Sequence, residues 1–460
     1  MAERLSASDM SSLLAERGPI HVNVGATMIM DGEPPSFEKL LEHVSSRLAL
    51  VPRFRQRVTA APVIQLSNPS WTDDPGFDLR WHVRHSALPR PGSREQLREL
   101  VGWIMSEPLD LTRPLWQLYL IEGLEGAGHA YLSKTHHALV DGVSAVDVGT
   151  IMLDPDPEGT EMPIEDEPWE PDQSSPALLF VRDATDRIRG PIRSARRAAR
   201  EALTMPRETA TRVMKTAEGF AALAAGGPSA PPSPLNVEIG RDRRVAWVAA
   251  ELQALKDARA VEGATVNDVI LAVAAAGLRR FFESRDGERP DHLVALVPVS
   301  IRRPDEQLEL GNRITTIMVR LPVATSDPVA RLVAVRDETA RLKQSEQARA
   351  ASLIIEATGW TPPTINRVLA ETMSRPLTWN LVVSNVPGPQ APFYLLGRRL
   401  REVYPFVPLS PQRRSLSVGV VSYDGGVFFG LVGDREAISD IDLLAGSFEA
   451  AVAEQTAARG

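Results

Sequence analysis

Two adjacent histidines followed by an Asp-Gly pair, His136-His137-Ala138-Leu139-Val140-Asp141-Gly142, form the segment of this chain best equipped for chemistry. An imidazole titrates near ~6.5, so at neutral pH it stands ready to take a proton. The segment leading through the pair, His129 to His137, reads as a strand, and successive strand side chains point to opposite faces. His136 and His137 therefore cannot share a ligand. No further ligand cluster is visible in the sequence, so no metal site is expected. Asp141 and Gly142 read as a turn: Asp bonds neighbouring backbone, Gly accepts a left-handed conformation, and Ser144 opens a helix over about 143–153. The pattern suits a general base placed where a strand ends and a helix begins.

Several elements must hold that base. IHVNVGATMIMD has strand character, and SFEKLLEHVSSRLALVPRFRQRV after it has an amphipathic helical pattern. PGSREQLRELVGWIMSEPL reads as a helix. PLWQLYLIEGLEGAGHAYLSKTHHA reads as two strands around a glycine-containing turn, the second delivering His137. From Asp154 to Pro176 the chain is acidic and proline-rich, a solvated connection. About 178–225 the charge reverses. Ile188, Ile192, Ala195 and Ala199 form one helical stripe, with Arg189, Arg193, Arg196 and Arg200 beside it. Such a helix suits an anionic membrane surface, or a crossover packed on its own protein.

GGPSAPPSPLN marks a second linker. Beyond it lie strand-like RRVAWVAAEL, helix-like TVNDVILAVAAAGLRRFFES, and strand-like HLVALVPVSIR, NRITTIMVRLPV, WNLVVSNV, SLSVGVVSYDG and GVFFGLVGD, then a terminal helix in IDLLAGSFEAAVAEQTA. The chain divides into an N-terminal domain over 1–154, an acidic and basic crossover over 155–236, and a C-terminal domain over 237–460. Mixed strands and helices in both make the class α/β.

With 460 residues the chain is long enough for two cores. A formal net charge of -8 argues against a general nucleic-acid binder. The absence of cysteine removes disulfides, thiolate metal sites and a thiol nucleophile. The N-terminus lacks the apolar core of a signal peptide, and no apolar run approaches a membrane span. A cytoplasmic protein is expected, with peripheral contact at the inner membrane face or lipid droplets.

HHALVDG, RPLWQLYLIEGL, TVNDVILA, LVPVSIR, LGNR and SNVPGP appear together. With them the chain resembles the bacterial wax ester synthase/diacylglycerol acyltransferase family of the chloramphenicol-acetyltransferase-like superfamily, over nearly its whole length. HHxxxDG alone is shared with nonribosomal-peptide condensation domains; the combination with PLW, TVND and SNVPGP points to the lipid family. The resemblance implies two chloramphenicol-acetyltransferase-like domains with mixed sheets and packed helices around an interdomain channel. It implies transfer of a long-chain acyl group from acyl-CoA to diacylglycerol or a long-chain alcohol in a ternary complex, with acyl-CoA as co-substrate and no cofactor.

Carried over by motif position, His137 is the general base and His136 supports it. Asp141 anchors the loop through a salt bridge to Arg302, or alternatively Arg313. Asn267 is an oxyanion donor or a helix cap. Gly142 and Asn385 line the channel, although Asn385 before Val-Pro-Gly-Pro is equally a turn residue. Pro114, Leu115 and Trp116 read as packing at a strand start. Two other functions remain open: a condensation-type or polyketide-associated acyltransferase fed by a carrier protein, and a noncatalytic lipid-binding relative.

Overall fold

The alternating and continuous apolar runs of the sequence become two mixed sheets. A computed structural model describes residues 20–59, 69–126, 128–140, 152–160, 230–259, 261–285, 289–300, 314–344, 379–410 and 413–458, with shorter pieces at 3–5, 9–10, 12–13 and 169–171 and positions 16 and 18. The first half contains β1 (Glu3–Arg4), β2 (Asn23–Met30), α1 (Phe37–Arg47), β3 (Gln56–Thr59), β4 (Ser70–Asp73), β5 (Val83–Ala87), α2 (Arg94–Ser106), β6 (Trp116–Leu124), β7 (Gly128–His136) and α3 (His137–Val140). The second half contains β8 (Arg243–Glu251), α4 (Val266–Ser284), β9 (Leu293–Ser300), β10 (Ile314–Leu321), α5 (Pro328–Gln344) and β11 (Leu381–Pro387). It continues through β12 (Tyr394–Leu395), β13 (Arg398–Phe406), β14 (Leu416–Tyr423), β15 (Gly426–Asp434) and α6 (Ile441–Ala457).

One six-stranded sheet runs β12-β13-β2-β7-β6-β5, and the other β10-β9-β11-β14-β15-β8. A small sheet, β1-β4-β3, stands beside them. The first sheet is not built from the N-terminal half alone. β13 pairs antiparallel with β2, Phe406 opposite Gly25 and Tyr404 opposite Thr27, so a hairpin from the C-terminal half completes it. The pairing of β13 with β2 links the two expected domains through one sheet.

Burial explains the second sheet. β14 and β15 are buried almost throughout, because helices cover one face and the first half covers the other. Val418, Val420, Phe429 and Leu431 join the core under α4, α5 and α6, whereas Val421, Tyr423, Phe428 and Val432 join the core of the first half. Two glycines permit the close approach between the layers built on the two sheets. A Cβ on Gly430 would lie 1.8 Å from the Pro405 carbonyl oxygen, and one on Gly102 would lie 2.8 Å from that of Arg243. Trp247 stacks on Tyr404 across the same boundary, centroids 4.7 Å apart.

Local signals set the helix starts. Ser36 caps α1 by accepting from the Lys39 amide, and Ser93 with Gln96 forms a capping box on α2. The helical pattern after β2 stops at Arg47, earlier than the sequence suggests. Pro52 begins a 3-10 turn there and Gln56–Thr59 pairs with β4 instead. A four-residue helix, His137–Val140, directly follows β7. Most of the expected 143–153 helix, most of the acidic connection, and the arginine stripe of 178–225 lie outside the described residues. No helix among the described residues is long and apolar enough to cross a membrane.

The first core contains a pH-sensitive element. His82 is fully buried, its Nδ1 2.8 Å from the Trp116 carbonyl oxygen and its ring stacked on Trp116. Burial pushes this imidazole down to about 4, against the raising effect of the carbonyl bond. Because the unfolded chain binds the proton first, the contribution is complete above ~6.5 and is lost as pH falls from there towards 4. The shift corresponds to about 3 kcal/mol. Urea unfolding followed from pH 7 to pH 4 should show this decline, and His82→Asn should flatten it. An unchanged slope in that variant would remove His82 as the cause. Burial lowers His21, His43 and His129 in the same direction.

Candidate active site

β7 carries His136 as its last residue, opposite Asn23 of β2. The His136 amide donates to the Leu115 carbonyl at 3.0 Å, and the His137 amide donates to that of Val22 at 3.0 Å. The sheet thus fixes both main-chain positions before α3 begins. The Pro114-Leu115-Trp116 segment contributes packing, as read from sequence. The Trp116 ring stacks between Phe54 and His82, and its indole N–H donates to the Phe54 carbonyl at 2.8 Å. Leu115 adds a role that the sequence did not reveal, since its carbonyl holds His136.

The two histidines have different environments, because His136 ends the strand and His137 begins the helix. His136 is fully buried. Its Nδ1 accepts the Ala138 amide at 3.0 Å, so in the neutral ring the hydrogen resides on Nε2. That Nε2 faces Glu16 Oε1 at 3.6 Å, beyond hydrogen-bond length. His137 is half-buried, with Nδ1 3.4 Å from the Ser12 hydroxyl.

Lys134 lies on the same sheet face, two residues before His136. It is buried, and its Nζ donates to the carbonyls of Ile104 and Glu107, 2.6 Å each. A cation at this end of α2 complements the helix dipole. Burial nevertheless lowers the amine to about 8, against the raising influence of Glu107 and Glu16. The Asn23 amide also donates to the Glu107 carbonyl, at 3.1 Å.

Asn267 and Asn385 come together. Separated by 118 positions, they meet where the Asn385 amide donates to Asn267 Oδ1 at 3.1 Å. Asn267 is not a helix cap. Thr265 caps α4, and Asp268 completes the capping box by accepting from the Thr265 amide at 2.8 Å. T-x-x-D is a capping-box spacing, so this assignment was legible in TVND. The other Asp268 oxygen accepts the Thr339 hydroxyl at 2.7 Å, tying α4 to α5. Asn385 is likewise not a turn residue: it lies in β11, opposite Val420 of β14.

Asp141, Gly142, Arg302 and Arg313 lie outside the described residues. A buried ion pair that the sequence did not reveal stands just downstream of the motif. Arg47 of α1 binds Asp154, with side chains 4% and 3% exposed. The other Arg47 nitrogen lies 2.7 Å from His43 Nδ1, and His43 Nε2 lies 2.9 Å from the Met152 carbonyl oxygen. Asp154 also exchanges backbone hydrogen bonds with Tyr394, 2.8 Å each way. Among the described residues, no group of three His, Asp or Glu side chains is arranged to hold a metal ion.

Residues 5–270 match the profile of the wax ester synthase/diacylglycerol acyltransferase catalytic domain, and residues 310–455 match the C-terminal domain of the same family. A protein of Mycobacterium tuberculosis (strain CDC 1551 / Oshkosh), described as a probable diacylglycerol O-acyltransferase, is 32% identical over 98% of this chain and 96% of its own. The wax ester synthase/diacylglycerol acyltransferase structure from Marinobacter aquaeolei VT8 superposes with a TM-score of 0.68 at 26% identity, covering 98% of both chains. The first condensation domain of the calcium-dependent antibiotic synthetase shares the fold, with a TM-score of 0.58 at 16% identity over 100% of this chain and 98% of its own.

Proposed function

The chain belongs to the wax ester synthase/diacylglycerol acyltransferase family, and from that premise we propose that it transfers a long-chain fatty acyl group from acyl-CoA to diacylglycerol, with long-chain alcohols as secondary acceptors. The observation that carries this reading is the intact HHALVDG segment, which holds a half-buried imidazole at a strand-to-helix junction. His137 Nε2 removes the acceptor hydroxyl proton as the oxygen attacks the thioester carbon. The tetrahedral intermediate collapses, the carbon–sulfur bond breaks, and the imidazolium returns its proton to the CoA thiolate.

Asn267 donates to the oxyanion in this scheme. Its carbonyl oxygen accepts from Asn385, which directs its own NH2 elsewhere and supports that role. Asp141, paired with Arg302 or Arg313, anchors the loop, and Gly142 lines the channel that brings both substrates to His137. A lipid chain already in a bilayer or droplet has gained the ~0.8 kcal/mol per methylene of leaving water, so burial in a channel cannot alone drive extraction. The 178–225 stretch either supplies the route by contact with the inner membrane face or a droplet surface, or packs on the protein as a crossover; lipid-droplet binding that survives its deletion would leave the packed alternative.

The test is a competition. Purified protein given palmitoyl-CoA with diacylglycerol and hexadecanol together is expected to make mainly triacylglycerol. Mainly wax ester would reverse the acceptor assignment, and a strong preference for acyl-carrier protein as donor would favour the condensation-type alternative. Lipid binding without CoA release would favour the noncatalytic one.

A further inference from the structure

Both motif histidines are met by one distant stretch of chain. The Ser12 hydroxyl lies 3.4 Å from His137 Nδ1, and Glu16 Oε1 lies 3.6 Å from His136 Nε2, across more than a hundred residues of sequence. We infer that the N-terminal segment completes the histidine pair, with Ser12 and Glu16 as positioning residues for His137 and His136. The inference rests on the reading of His137 as general base.

The segment is held in place independently of the histidines. β1 pairs with β4, Glu3 opposite Trp71. Leu5 is buried in the first core, and its amide donates to the Pro69 carbonyl at 3.2 Å. The Trp71 indole N–H donates to Asp9 Oδ2 at 3.4 Å, and Leu13 packs against the same core. The small sheet and its neighbours therefore deliver Ser12 and Glu16 to the end of β7.

The Ala138 amide selects the His136 tautomer, and the Ser12 hydroxyl, able to donate or accept, meets the Nδ1–H form of His137 that the general-base reading requires. The Ala138 amide occupies His136 Nδ1, so the neutral ring carries its hydrogen on Nε2, which is buried and has no hydrogen-bond partner within normal length. A buried N–H without an acceptor is costly, and the Glu16 carboxylate is the acceptor facing it. The Val22 amide fixes that carboxylate by donating to the same oxygen at 3.3 Å. Burial raises the Glu16 carboxyl, but its interaction with His136, the Val22 amide and the nearby His21 together bring it below its ordinary value. Glu16 is therefore ionised at neutral pH, with the Lys134 ammonium contributing to the same field.

With Glu16 in place, His136 keeps Nδ1 on Ala138 and holds the first turn that begins at His137. Ser12 acts on His137 directly. Its oxygen accepts from Nδ1–H, which leaves the Nε2 lone pair for the substrate proton. A hydrogen bond at one imidazole nitrogen commonly decides the state of the other.

Full-length Ser12→Ala, Glu16→Gln and Glu16→Leu variants test this by kcat, KM and 15N spectra of histidine-labelled protein. In the native protein His136 should show a protonated Nε2 and an acceptor-type Nδ1, and His137 the reverse. Glu16→Leu should lower kcat roughly tenfold or more with KM little changed, as loss of a group that orients a histidine does. It should also mix the His136 tautomers. Glu16→Gln should recover most of both, because its amide oxygen still accepts from Nε2–H. Ser12→Ala should shift His137 towards the Nε2–H form and lower kcat.

The inference is overturned if kcat stays within twofold in Ser12→Ala and Glu16→Leu, or if kcat falls while the tautomers stay as in the native protein. The spectra do not depend on turnover. If His137→Ala retained activity, the base assignment would fall while the tautomers still decided the positioning roles.

Discussion

Replacing His137 with alanine should reduce acyl transfer by roughly 100- to 10,000-fold, the usual contribution of a positioned general base. The substitution removes a half-buried ring whose hydrogen-bond contact among the described residues is the 3.4 Å approach to Ser12. Its backbone amide still donates to Val22, so β2, β7 and the start of α3 keep their register. Urea unfolding should therefore change little while CoA release collapses. His136→Ala should behave differently. That ring is fully buried and supports the Ala138 amide, so stability and activity should fall together. Activity of His137→Ala within tenfold of the native protein would defeat the base assignment.

Arg47→Ala should destabilise the protein by about 3–5 kcal/mol, the usual effect of removing one partner from a buried ion pair. Among the described residues, the Asp154 carboxylate would stay buried with the Thr160 amide, 2.9 Å away, as its remaining side-chain hydrogen-bond partner. His43 would lose the guanidinium at its Nδ1. Replacing both Arg47 and Asp154 by apolar residues of similar volume should recover much of the loss, because no buried charge then remains. Chemical denaturation measures both variants, and a loss below 1 kcal/mol in Arg47→Ala would show that the pair is dispensable. Activity should fall with stability. Asp154 follows the motif segment and is bonded to Tyr394, so the ion pair ties α1, that segment and the hairpin of the second half together.

Elements with a strong local signature were legible in the sequence. NVGATMIM, LVALVPVS and GVFFGLVGD are apolar enough to be strands in nearly any context, and VNDVILAVAAAGLRRFFES carries its own capping box. β13 was not legible. RRLREVYPF is rich in charge, and a register shift between Leu400 and Glu402 breaks its alternation. It becomes a strand because β2, several hundred residues earlier, offers an unpaired edge. β5, VRHSA, was missed in the same way, since its apolar positions are few and acquire meaning from what covers them.

For the site, the sequence determined the chemistry and the order of its motifs. An imidazole after a strand, a T-x-x-D start to a helix and the PLW segment are local patterns, and side-chain alternation alone separated the two histidines. Only the tertiary structure decided which groups meet. It paired Asn267 with Asn385, set Leu115 against the His136 amide, and brought Ser12 and Glu16 to the histidines. It also buried Arg47 against Asp154. The reason is physical. Periodicity and capping arise from neighbours within a few residues, whereas the partner of a buried polar group is chosen by the requirement that it be satisfied wherever folding places it.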